Sequence, residues 1–165
     1  MKKTKILAII GSTRKNSSNY KILKFISENI KPEFEVNIFE DLADIPHFNP
    51  DLDTENPPEK VEFFRNKITE ADGVIICTPE YVFGLPGSLK NTLEWCVSTT
   101  IFSDKKTGLI TASASGEMAH QQLLLIMKTI GAKFDENKQL LIQGIRGKIN
   151  EEGKVIDQET EIALQ

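Results

Sequence analysis

Cysteine is scarce in this chain, with two in 165 residues, Cys77 and Cys96. Two thiols are too few for a disulfide framework or a zinc site, and their apolar surroundings suit a reducing compartment. Basic runs are also missing. Lys and Arg number 20 against 24 Asp and Glu, a net charge of −4. Nucleic-acid backbones are held by clustered cations, so a chain of this kind is a poor nucleic-acid binder. No apolar stretch approaches membrane-spanning length. The segment Lys2-Lys3-Thr4-Lys5 before Ile6–Ile10 resembles a signal sequence at first sight. Its apolar run is short, and Gly11-Ser12-Thr13-Arg14 places charge where a small-residue cleavage site belongs. A buried strand explains the run better, and the chain is read as cytoplasmic, with no membrane partner. Neither G-x-G-x-x-G nor G-x-x-x-x-G-K-S/T occurs, which removes the usual cradles of a pyrophosphate or a triphosphate. No His, Asp or Glu set has metal-ligand spacing, and no nucleophile elbow supports Ser-His-Asp chemistry.

What is present is an ordinary globular composition, 39% hydrophobic and 27% charged. A chain of this length buries roughly 70% of its unfolded surface without staples, and the length predicts a single domain over residues 1–165. Apolar runs of strand length fall at Lys5–Ile10, Glu35–Phe39, Gly73–Cys77 and Thr107–Ala112, with a shorter fifth at Leu140–Ile142. The first and third are continuous rather than alternating, the pattern of strands covered on both faces. Helical spacing lies between them. Ile22, Leu23, Ile26 and Ile30 follow Ser17-Ser18-Asn19; Val61, Phe64 and Ile68 follow Pro57-Pro58. Leu89, Leu93, Cys96 and Val97 follow Pro86-Gly87, and Leu123, Met127 and Ile130 lie between Gly116 and a stop at Gly131. This alternation predicts an α/β fold, a doubly wound parallel sheet with right-handed crossovers. Two strand orders fit, 2-1-3-4-5 and the six-stranded dinucleotide-binding order, and periodicity does not choose between them. Gly144–Gly153 reads as a turn-rich excursion with a hairpin around Asn150–Gly153. A last helix begins near Asp157 and runs barely two turns to Gln165, as a short helix or a clipped chain.

Ligands of doubly wound sheets bind beyond the carboxyl ends of the strands. The loop after the first strand, Gly11 to Asn19, offers hydroxyls, amides and one guanidinium before opening a helix. Helix N-termini favour anions, and Arg14 can fork onto two phosphate oxygens. A helix cap needs one such residue, so the run favours a terminal monophosphate over a cap alone. After the third strand, Pro79 and Pro86 stiffen a loop whose Tyr81, Val82, Phe83 and Leu85 set apolar side chains at the rim. A flat heteroaromatic ring would suit them, and so, equally, would burial against a helix or a partner. Small residues from Ser113 to Gly116 follow the fourth strand and suit either close ligand approach or a plain turn. His47 reads as a packing or surface residue, Cys77 as core, Cys96 as core or interface, and His120 as a cap or surface residue.

Together these loops resemble the NADPH-dependent FMN reductases, a flavodoxin-like family that includes quinone, azo-dye and chromate reductases. Gly11, Ser12, Arg14, Ser17 and Asn19 match that family's G-S-x-R-x-x-S-x-N signature. Pro79, Glu80, Tyr81, Pro86, Gly87, Leu89, Lys90, Asn91 and Trp95 match its P-E-Y-N…P-G-x-L-K-N…W signature. The resemblance implies a flavodoxin-like five-stranded parallel sheet of order 2-1-3-4-5. It implies that Ser12, Arg14, Ser17, Ser18 and Asn19 hold the FMN phosphate. Pro79, Glu80, Tyr81, Val82 and Phe83 would line the isoalloxazine, with Ser113 and Gly116 flanking its other side. Val82 replaces the family's Asn and Phe83-Gly84 a more polar pair, which removes an amide able to bond the ring edge.

The implied activity is an FMN-dependent NAD(P)H oxidoreductase. Hydride passes through flavin N5 to a small-molecule acceptor, a quinone, azo, nitro or metal-oxyanion compound, by a ping-pong mechanism. The cofactor carries the chemistry, so no catalytic acid or base is assigned. The alternative is a flavodoxin-type electron carrier. A phosphoacceptor regulator is discounted, because Gly11-Ser12 and Thr78-Pro79 stand where it needs acids. Val82, Phe83 and Leu85, with Trp95 two turns further on, form an apolar group expected to face outward. With the family's habit of pairing here, they imply a homodimer or homotetramer.

Overall fold

A computed structural model describes residues 3–165. Its five strands, β1 (Thr4–Ile10), β2 (Phe34–Phe39), β3 (Gly73–Thr78), β4 (Lys106–Ala112) and β5 (Gln139–Ile142), form one sheet in the order β2-β1-β3-β4-β5. Every pairing is parallel. The helices are α1 (Ser18–Asn29), α2 (Glu59–Glu70), α3 (Gly87–Glu94), α4 (Glu117–Thr129) and α5 (Gln158–Leu164).

The two faces of β1 explain why its run is continuous. Leu7 and Ile9 enter a core with Phe64 and Ile68 of α2, Leu89 and Leu93 of α3 and Leu123 of α4. Ala8 and Ile10 enter the opposite core with Ile22, Leu23 and Ile26 of α1. Both layers exclude water, so neither face tolerates a polar residue. The edge strand β2 alternates between partial burial and exposure, which is why its sequence signal is thinner.

The predicted helix signals hold except at the end of α3, which stops at Glu94 and leaves Cys96 and Val97 in the turns beyond it. Ser17 caps α1 by accepting the Tyr20 N–H, and Pro58 precedes the first residue of α2. Past the end of α4, Gly131 takes a φ of +84°. The tail also turns as expected: Asn150 N–H bonds the Lys154 carbonyl, Ile149 and Val155 form an antiparallel bridge, and Asp157 caps α5. Ile145, Ile149 and Val155 bury themselves in the α1 core, so the excursion is a packed strap.

One prediction needs correction. Trp95 and Leu85 do not face outward. Trp95 is fully buried, donates its ring N–H to the Pro46 carbonyl at 2.8 Å and meets Phe48 edge-on at 5.1 Å. The Pro46–Phe48 segment closes over it because Asn91 holds both ends, accepting the Phe48 N–H and donating to the Pro46 carbonyl. Further along, Arg65 pairs with Asp53 at 2.6 Å and donates to the Trp95 carbonyl, so the long β2–α2 connection is fastened to the end of α3.

Candidate functional site

The loops after β1, β3 and β4 converge because their strands are neighbours in the sheet. Gly11 sets their spacing. A Cβ there would lie 2.4 Å from Thr78 Oγ1 and 2.9 Å from Leu89, so only glycine lets the end of β1 press against the end of β3. Beyond this contact opens a cavity of about 410 Å³, within the size range of small-molecule sites.

Nine of the predicted site residues line it: Ser12, Arg14, Ser17, Ser18, Asn19, Pro79, Glu80, Tyr81 and Ser113. The phosphate side is built of donors. Ser12 Oγ accepts the Arg14 N–H at 3.2 Å and lies 3.5 Å from the Tyr81 hydroxyl, while Ser17 Oγ accepts the Tyr20 N–H, which leaves the Ser17 hydroxyl proton free to donate outward. In the first turn of α1, the Ser18 and Asn19 N–H groups find no acceptor among the described residues. Hydroxyl protons, orphan helix N–H groups and a guanidinium fit a phosphate monoester.

Several residues do something other than expected. The Asn19 side chain turns inward, donating to the Ala112 carbonyl at 3.2 Å and accepting the Cys77 thiol proton at 3.2 Å. It stitches α1 to β3 and β4, and what faces the cavity is its backbone. Glu80 is committed to the N-terminus of α4, where its two oxygens accept the Gly116 and Ala119 N–H groups. Gly116 itself stands behind the wall rather than in it. His120 is neither a cap nor free: its Nδ1 lies 3.0 Å from Thr111 Oγ1, and burial lowers its pKa.

Val82 and Phe83 do not reach the cavity. Tyr81 and Gly84 exchange backbone bonds of 3.0 and 3.1 Å, and the two residues between them take φ of +49° and +57°. This is a two-residue hairpin with both tip residues left-handed, the geometry that Asn and Gly favour. An Asn at Val82 would therefore suit the backbone of the tip. Val82 is 97% exposed and Phe83 78%.

Ala114, inside the small-residue loop read from the sequence, also lines the cavity, and sequence reasoning missed Ala112, Ile145 and Arg146, which complete the lining. Ile145 N–H bonds the Ser113 carbonyl and Gly144 N–H the Ala114 carbonyl. That places Arg146 beside the first turn of α1, since Asn19 is bonded to the adjacent carbonyl of Ala112. The only available signal for Arg146 was a cation between two glycines, Gly144 and Gly147, too common to single out. A groove of about 420 Å³ along β2 and α2 is similar in size, but it lies at a sheet edge, away from the converging loops.

The family model for NADPH-dependent FMN reductases matches residues 4–145. The chain belongs to that family. It is an oxidoreductase that works with FMN and a reduced nicotinamide dinucleotide. Among its relatives is a quinone reductase of Escherichia coli, 30% identical over 165 residues, covering 96% of this chain and 88% of the relative. Another is the NADH:(hydroxy)cinnamate reductase subunit CrdA of Vibrio ruber, 30% identical over 158 residues, covering 92% and 77%. Among solved structures, the flavoenzyme NAD(P)H:(acceptor) oxidoreductase FerB of Paracoccus denitrificans superposes with a TM-score of 0.83 at 26% identity, covering 98% of this chain and 91% of that one.

Proposed function

We propose that this chain forms a single FMN-binding unit that oxidises NADPH or NADH and reduces quinones, with azo, nitro and metal-oxyanion compounds as further acceptors. The observation that carries this reading is the cavity itself, all donors at the β1 loop and Pro79, Tyr81 and Ser113 on its other sides. Quinones come first among acceptors because of the quinone reductase among the relatives. The FMN phosphate rests on the Ser12, Ser17 and Ser18 hydroxyls, the Arg14 guanidinium and the first-turn N–H groups of α1. Asn19 contributes its backbone alone. Pro79–Tyr81 and Ser113–Ala114 line the two sides of the ring slot, and Glu80 fixes those sides relative to each other. Bound FMN supplies hydride acceptance at N5 from the nicotinamide and delivery of the electrons to the acceptor. The protein's task is to anchor, orient and leave one ring face open.

A single open face used by donor and acceptor in turn gives a ping-pong sequence. Initial-rate plots against NADPH at several quinone concentrations should then be parallel. Intersecting lines would remove the single-face mechanism. A purified protein that shows no flavin absorption after loading with FMN would remove the cofactor reading itself. The free, buried thiols of Cys77 and Cys96 support a cytoplasmic setting, and the exposed tip at Val82 and Phe83 supports pairing into a homodimer or homotetramer.

A further inference from the structure

Gly116 opens α4 at a φ of +91°, and a Cβ there would come within 3.0 Å of Leu141. Glycine is therefore required, and the N-cap position has no side chain with which to cap its own helix. The cap comes from Glu80, 36 residues earlier. Its Oε1 accepts the Gly116 N–H at 3.1 Å and its Oε2 the Ala119 N–H at 3.0 Å. Ala119 is the third helical residue, whose N–H an N-cap side chain normally satisfies. A second tie joins the same elements, Leu85 N–H to Gln122 Oε1 at 2.8 Å. The β3 loop and the start of α4 are thus clasped at two points, and Glu80, which makes one clasp, is itself a residue of the cavity wall.

We propose that Glu80 is a positioning residue with an electrostatic consequence: it locks the β3 and β4 loops into one wall and holds down the reduction potential of the flavin bound against that wall. The positive end of α4 lies just behind this wall, at Gly116, and would favour the negative charge that hydride transfer adds to the ring. A carboxylate seated on that helix end opposes both. The potential therefore follows the charge at residue 80, whereas the order of the loops follows its hydrogen bonds. The electrostatic half rests on the FMN reading; the clasp does not.

Three variants separate the two effects. Glu80→Asp keeps the charge but falls a methylene short. Glu80→Gln keeps the length, loses the charge, and turns an NH2 group against one of the two N–H donors. Glu80→Ala loses everything. In flavin-free protein, amide hydrogen exchange at Gly116 and Ala119 should quicken roughly five- to thirtyfold in the Ala variant, and at one of the two sites in Gln. With FMN bound, the midpoint potential should rise in Gln and Ala alike and stay near wild type in Asp. Unchanged exchange in the Ala variant overturns the clasp. A potential unmoved in Gln, or moved as far in Asp as in Gln, overturns the electrostatic role. A wild-type protein that retains no FMN overturns the cofactor reading and the electrostatic role with it, while exchange still decides the clasp. Should Glu80→Ala fail to fold, the Asp and Gln variants carry the same comparison.

Discussion

Arg14 lines the cavity, is exposed, and forms no ion pair among the described residues. Its charge is available for an anion, and it is joined there by Arg146. Removing one of two cations leaves the other to compensate in part. Arg14→Ala should therefore weaken FMN binding by about 1.5–3 kcal/mol, the range for hydrogen bonds to charged groups, and toward its lower end. That corresponds to roughly ten- to a hundredfold in Kd. Titration with riboflavin, which lacks the phosphate, should give the same affinity for wild type and variant. Equal FMN affinity in the two proteins would refute the phosphate assignment. The residue scale also shows what one-dimensional matching misses. Asn19 fits the signature and sits in the right turn, yet its amide is spent on Ala112 and Cys77. Burial pushes the Cys77 thiol pKa up, so it serves as a neutral donor to Asn19 and not as a nucleophile.

Among elements, the tightest junction is Gly11, where the ends of β1 and β3 meet the start of α3. A Cβ would lie 2.4 Å and 2.6 Å from Thr78 side-chain atoms, which sit on a central strand and cannot swing away. Gly11→Ala should cost about 1–3 kcal/mol by overpacking, read as a lower urea midpoint in flavin-free protein, and should weaken FMN binding by shifting the β1 loop. An unchanged midpoint would mean that the strand ends are looser than they stand. The central strands were legible in sequence because two covering layers leave a continuous apolar run, as in β1 and β3. The order 2-1-3-4-5 was not legible in periodicity, and entered through the two loop signatures. The burial of Trp95 was not legible either. Its position two turns along a helix carries no rotation angle, and the segment that covers it, Pro46–Phe48, lies almost fifty residues earlier in the chain. The Glu80 cap was hidden for a related reason. A capping residue is sought next to its helix, and this one arrives from another loop because Gly116 cannot supply it.

At the scale of the molecule, the exposed apolar surface is narrower than the sequence implied, and more pointed. With Leu85 and Trp95 buried, the exposed apolar group beside the site consists of Tyr81, Val82 and Phe83 at the hairpin, with Met118 half exposed on the turn that Glu80 caps, and the other exposed hydrophobics, such as Val97 and Leu125, lie elsewhere in the chain. Both tip residues hold left-handed backbone angles, and Val82 does so with a β-branched side chain. A conformation of this kind costs of order 1–3 kcal/mol per residue. The base of the hairpin, held by Glu80 and by the bond from Leu85 to Gln122, keeps the strained tip from relaxing. A rigid, strained apolar point is a poor surface to leave in water and a good one to seat in a neighbour. A two-fold pairing through the tip would cover it in both copies. Light scattering at micromolar concentration should give twice the chain mass or a higher even multiple. The mass of one chain would refute the pairing. Phe83→Asp should move the mass toward one chain and weaken FMN retention in parallel. Val82→Asn, which suits the left-handed tip, should raise the thermal midpoint while leaving FMN affinity in place, since the side chain stands outside the cavity. A variant that dissociates yet keeps its FMN would separate the tip from the site and leave the pairing without a part in cofactor binding.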